Sequence, residues 1–64
     1  MKSITIEEMI NLTKDNLRIK LLEPLTNNNG AILLRENNYI NNYIPKLEVR
    51  SDLNYFQSYK VMYG

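Results

Sequence analysis

The chain has 64 residues, with eight Lys and Arg against seven Asp and Glu, a net charge of +1, and neither cysteine nor histidine. A chain of this length forms one domain, residues 1–64, and buries only about 60% of the surface its unfolded form exposes, while the missing Cys and His exclude disulfides, a histidine- or thiolate-held zinc, a thiol nucleophile and imidazole acid–base chemistry. The near balance of charge argues against a strongly electrostatic partner such as duplex DNA or an anionic membrane, and no apolar run has the length of a membrane span.

The elements follow in chain order. Lys2 is not followed by the apolar core of a signal peptide, because Glu7 and Glu8 interrupt it, and a disulfide-free domain of this size fits the cytoplasm of a host cell. Thr5-Ile6-Glu7-Glu8 has the spacing of a capping box, with Ile4 and Met9 placed as a hydrophobic staple. Ile6, Met9, Ile10 and Thr13 then form one stripe, so a helix is expected over about residues 6 to 14, stopped by Asp15-Asn16. Leu17-Arg18-Ile19-Lys20-Leu21 alternates apolar and charged residues as a half-buried strand does, and Pro24 ends it. Thr26 to Gly30 is a dense turn signal, which makes Ala31 to Glu36 the return strand of a hairpin.

Asn37-Asn38-Tyr39-Ile40 is then repeated directly as Asn41-Asn42-Tyr43-Ile44, and Pro45 closes the run. At about 100° per residue, a helix puts both Tyr and both Ile on one arc of about 140°, with the asparagines opposite. A strand would mix Asn with apolar residues on each face, so a short amphipathic helix is expected. On that wheel Ile40 and Ile44 dock on the sheet, the tyrosine rings lie along its rim, and the asparagines need only stay wet. Lys46 to Arg50 alternates again with Leu47 and Val49 inward, Ser51 to Asn54 reads as a turn, and Tyr59, Val61 and Tyr63 mark a final strand. The fold class is therefore α+β: a single small domain with its N-terminal helix packed on an antiparallel sheet of three to four strands, plus a second short helix.

No constellation carries catalysis. Glu7 and Glu8 are adjacent and point about 100° apart on a helix, which suits its first turn and not an acid–base pair. The other carboxylates show no metal-ligand spacing, and the two glycines, Gly30 and Gly64, cannot build a phosphate loop. Neither catalytic residues, nor a cofactor, nor a metal is expected. All six aromatics lie between Tyr39 and Tyr63, and five of them are tyrosines, a residue type enriched at interfaces. The expected partner-binding residues are Tyr39, Tyr43, Tyr55 and Tyr59, with Arg35 and Arg50 as polar anchors. Arg18, Lys20, Arg35, Arg50 and Lys60 would form a single-strand platform if they shared the solvent face, but Glu23, Glu36, Glu48 and Asp52 interrupt any basic patch.

In layout the chain resembles the small accessory proteins of phages and mobile elements of low-GC bacteria, anti-CRISPR and other anti-defence inhibitors among them. The residues that carry the likeness are Thr5-Ile6-Glu7-Glu8-Met9-Ile10, the alternating strand Leu17 to Leu21, the Asn27 to Gly30 hairpin and the closing Val61-Met62-Tyr63. The resemblance implies a non-catalytic protein that occludes a surface of a larger host protein or complex, such as a CRISPR effector. The other readings to weigh are a single-stranded nucleic-acid or nucleotide-ligand binder and a homo-oligomeric structural protein.

Overall fold

The computed structural model describes residues 2–63. Its elements run β1 (Lys2–Thr5), α1 (Ile6–Lys14), β2 (Ile19–Leu21), β3 (Leu25–Thr26), β4 (Ile32–Leu34), a 3-10 turn (Asn41–Tyr43), α2 (Ile44–Glu48) and β5 (Ser58–Tyr63). This is the small α+β domain expected, with a three-stranded antiparallel sheet ordered β1-β5-β2 and a separate two-stranded sheet, β3-β4.

The first helix forms as its sequence dictates. The Thr5 hydroxyl accepts the N–H of Glu8, and the Glu8 carboxylate accepts the N–H of Thr5, each at 3.2 Å, so two otherwise orphaned donors are satisfied. Asn16 adopts a φ of +66° just beyond the C-cap Asp15, a conformation that Asn tolerates better than most residues. Ile6 and Met9 are fully buried, and Ile4 at the staple position nearly so. Residues 2–5, which the sequence marks only by the Ile4 staple and the Thr5 cap, also form β1, which feeds straight into the helix.

The hairpin is displaced from its expected place. Asn27–Gly30 does turn the chain, but it joins β3 to β4, with Leu25 opposite Leu34 and Thr26 opposite Ile32. Gly30, at φ +83°, supplies the left-handed residue that the turn needs, and the Asn27 side chain accepts the N–H groups of Asn29 and Ala31, both at 2.9 Å. The strand expected over 17–21 shortens to β2 and pairs instead with β5, in the register Ile19 to Tyr63, Lys20 to Met62 and Leu21 to Val61. β5 is long enough to pair with β2 through residues 61–63 and with β1 through residues 58–61, so it joins both into one sheet.

The Lys46 to Arg50 alternation is the second correction: it is no strand, since Lys46 to Glu48 belong to α2 and Val49 and Arg50 follow its end. Ile44 and Leu47, three residues apart, are the buried face of α2. Pro45 starts this helix rather than ending one, because a first-turn position has no use for the N–H that proline lacks. Val49, expected inward, is 84% exposed.

The repeat is not one helix either. Leu21 donates its N–H to the Asn38 carbonyl (2.9 Å), Asn37 donates to the Leu21 carbonyl (2.8 Å), and Ile40 donates to the Ile19 carbonyl (2.9 Å). The first copy therefore lies antiparallel along the free edge of β2, with Tyr39 bridged to Lys20. The Asn41 carboxamide extends this pairing, accepting the N–H of Ile19 (2.9 Å) and donating to the Leu17 carbonyl (2.8 Å). The asparagines thus do structural work that the helical wheel did not assign them.

One core results. Ile4, Ile6, Met9, Ile19, Leu21, Leu25, Ile40, Ile44, Leu47, Leu53, Tyr59 and Val61 form a single buried cluster on one face of the β1-β5-β2 sheet. On the other face, alternation along β5 places Ser58, Lys60 and Met62 in solvent. Among the described residues no helix is long and apolar enough to cross a membrane.

Candidate functional site

Two surfaces carry side chains that the fold itself does not use. The first is the uncovered face of the sheet. Strand register aligns Met62, Lys20 and Tyr39 as a cross-strand row, with Ser3 opposite Lys60 in the next. Arg18, two residues before Lys20, folds its guanidinium over the Tyr39 ring with 4.3 Å between its central carbon and the ring centroid, within reach of a cation–π attraction. Arg18, Lys20, Tyr39, Met62 and Tyr63 line an open depression of about 340 Å³. Tyr39 is 44% and Met62 54% exposed. The sole ion pair among the described residues lies elsewhere, between Arg50 and Asp52, so the Arg18, Lys20 and Lys60 side chains form no ion pair on this face, although the Glu23 carboxylate accepts the Lys60 backbone N–H at 2.7 Å.

The second surface is the loop after α2. Asp52 is its fixed point. Its carboxylate accepts two hydrogen bonds from the Arg50 guanidinium, at 2.8 and 2.7 Å, and a third from the Asn27 side chain at 3.0 Å, while its carbonyl accepts the N–H of Asn28 at 2.8 Å. The Arg50 hydrogen bonds hold the Asp52 carboxyl at about 2, below its ordinary 3.8, against the opposing effect of partial desolvation and with help from Asn27. Further along, the Tyr55 hydroxyl donates to the Leu47 carbonyl (3.2 Å). Asn54 then accepts the Phe56 N–H on its side chain (3.0 Å) and the Gln57 N–H on its carbonyl (3.3 Å). A turn fixed at both ends thus presents Phe56, which is 87% exposed.

The residues expected to meet a partner are divided by this architecture. Tyr39 is on the sheet face. Tyr43 is half-buried beside the core, its ring beneath the Lys46 ammonium at 5.6 Å. Tyr55 and Arg50 are struts of the loop. Arg35 is exposed after β4 and lines neither surface. Tyr59 must be corrected outright: alternation along β5 turns it inward, it is 1% exposed, and its hydroxyl donates to the Thr26 carbonyl at 3.0 Å. It is a core residue. Of the five cations considered for a shared platform, strand register brings together Arg18, Lys20 and Lys60 and leaves out Arg35 and Arg50.

Met62 and Phe56 are the exposed residues that sequence reasoning missed, and half-buried Tyr63, packed against the core, completes the rim of the depression. The Tyr59, Val61, Tyr63 alternation that marked the final strand puts Met62 on the opposite face from those three, so that signal was present. Phe56 carried no such signal, since an aromatic in an irregular segment reads equally as core. No group of three or more acidic side chains among the described residues could hold a metal ion. The outer edge of β2 is covered by the first repeat copy, which leaves β1 as the open edge of the main sheet, its Thr5 N–H already taken by Glu8. No family model, curated protein or solved structure matches the chain.

Proposed function

We propose that this chain is a small non-catalytic binding module that occludes a surface of a larger protein. Phe56 carries the reading. An aromatic side chain left in water forgoes about 1.5–3 kcal/mol of burial, and here a hydrogen-bonded turn fixes the backbone that presents it. Ordering the backbone that carries an anchor before association lowers the entropy lost on binding, and buried aromatic anchors dominate protein interfaces. Val49, on the other side of the Arg50–Asp52 clamp, adds a second exposed apolar contact.

The layout likeness to phage accessory proteins suggests the identity of the target, a host defence protein such as a CRISPR effector in the cytoplasm. The proposal is tested with tagged protein in lysate of the host cell, comparing wild type with Phe56→Ser. Wild type should retain a partner that the variant releases, while both give the same circular dichroism. Equal retention by both would remove Phe56 as the anchor, and no retention by wild type would remove the module reading.

A further inference from the structure

The sheet face lies apart from the Phe56 turn, and its chemistry is different. It combines unpaired cations with aromatic and thioether surface, where the loop spends its charges on each other. We propose that this face is a binding site for single-stranded nucleic acid, with one nucleotide seated in the depression between Arg18, Lys20, Tyr39, Met62 and Tyr63.

Three observations support that occupant. The depression, about 340 Å³, lies at the small end of the range of about 300–1,000 Å³ that holds small ligands, which suits one nucleotide unit rather than a large cofactor. The Arg18 guanidinium over the Tyr39 ring makes a cation–aromatic pair. Bases stack on such pairs whatever their sequence, and guanidinium N–H groups left at the edge are donors for phosphate. The third observation is charge complementarity along a track. Lys20 sits opposite Met62 on β5, and Lys60 lies two residues from Met62 on the same face, so a third cation stands one row from the depression, where the track ends at the Glu23 carboxylate that accepts the Lys60 backbone N–H at 2.7 Å. No described acidic side chain pairs with any of these cations, and Ser3, opposite Lys60, adds a small polar neighbour. A net charge of +1 offers little long-range attraction for duplex DNA, whereas a strand that stacks its bases gains from the rings as well as the charge.

The test is fluorescence anisotropy with a labelled oligo(dT) of about 10 nucleotides at about 50 and about 200 mM salt. Three phosphate contacts on a single strand give a salt slope of about −2, so this fourfold rise in salt should weaken binding roughly 15- to 20-fold. Tyr39→Ala should weaken binding at least about fivefold, the lower end of a lost stacking contact. Arg18→Gln and Lys60→Gln, both at exposed positions, should each weaken binding and flatten the salt slope by about 0.7. Lys46→Gln, away from the sheet face, should leave binding unchanged, and circular dichroism should be the same for all the variants. The proposal is overturned by the absence of saturable binding below about 1 mM protein at the lower salt, or by binding that Tyr39→Ala and Arg18→Gln both leave intact. Equal affinity for a duplex of the same length would overturn it too. Competition by free dTMP at the same concentration as the oligonucleotide would make the depression a free-nucleotide site instead. Displacement by poly-glutamate at matched charge would assign the face to an acidic protein surface. Because the Phe56→Ser variant retains the whole sheet face, loss of protein capture and loss of oligonucleotide binding are separately readable.

Discussion

Asn37–Ile40 and Asn41–Ile44 have the same four residues in the same order and take different structures. The first copy begins with Asn37 at φ +68°, runs beside β2 with a single bridge at Tyr39, and leaves Tyr39 on the open sheet face. The second forms a 3-10 turn and hands over to α2 at Ile44. Only the isoleucines share a fate, since Ile40 and Ile44 are both buried. The difference is made by what each copy meets. The first copy runs beside the unpaired edge of β2, whose N–H and C=O groups need partners. The second is followed by Pro45, which has the φ of a helical first turn and no N–H to place. Local propensity is weak for Asn and Tyr, so context decides.

The isoleucine pair gives the largest effects that test this comparison. Ile40→Ala and Ile44→Ala should each cost about 2–5 kcal/mol, a large share of the roughly 3–10 kcal/mol that a domain of this length commands. Ile40, fully buried, should cost more than Ile44 at 8% exposure, as read from urea midpoints. Equal and small costs for the two would mean that the repeat is not part of the core.

Matched asparagines should separate next, each for its own reason. Asn41→Ala strands the Ile19 N–H and the Leu17 carbonyl and should cost about 1–3 kcal/mol. Asn37→Ala should cost about 1 kcal/mol through its positive φ, and Asn37→Gly should recover that loss. Asn41→Gly should recover nothing. Recovery at both positions in thermal melts would show that backbone conformation, not the side-chain clamp, sets the role of Asn41.

Tyrosine substitutions probe surface more than stability. Tyr39→Ala should shift the melting temperature less than Tyr43→Ala, whose ring packs beside the core, while only the former should reduce oligonucleotide binding. The reverse order would move the contact surface to the second copy.

The smallest effect belongs to the loop that follows the second copy, and it is one of pH. The folded Asp52 carboxyl lies at about 2, below its ordinary 3.8. Its hold on Arg50 and Asn27 is therefore complete above about pH 4 and is lost as pH falls through about 2. The amide resonances of Asn28 and Phe56 should move in that window and stay fixed in Asp52→Asn. A midpoint near 4 would show that the clamp does not form.

Where one local interaction dominated, the sequence was readable. The Thr5–Glu8 reciprocal bonds, the stop at Asn16, the Asn27–Gly30 turn and the closing strand around Val61 are each decided within a few residues, and each of these elements lies where its local signal placed it. Readings failed where long-range pairing decided. Which strand β2 joins depends on β5, some 40 residues on. Whether the first Asn-Tyr copy coils or extends depends on a strand edge that exists only once β2 has found β5. The same assembly turned Tyr59 from contact surface to core and gathered Arg18, Lys20 and Tyr39 at one site. Sequence alone determined the capped helix, the α+β class and a surface with no Cys or His chemistry. Tertiary structure decided strand partners, the split fate of the repeat and the face on which unpaired charge meets exposed rings, because hydrogen-bond satisfaction along a strand is settled by the neighbour and not by the strand's own residues.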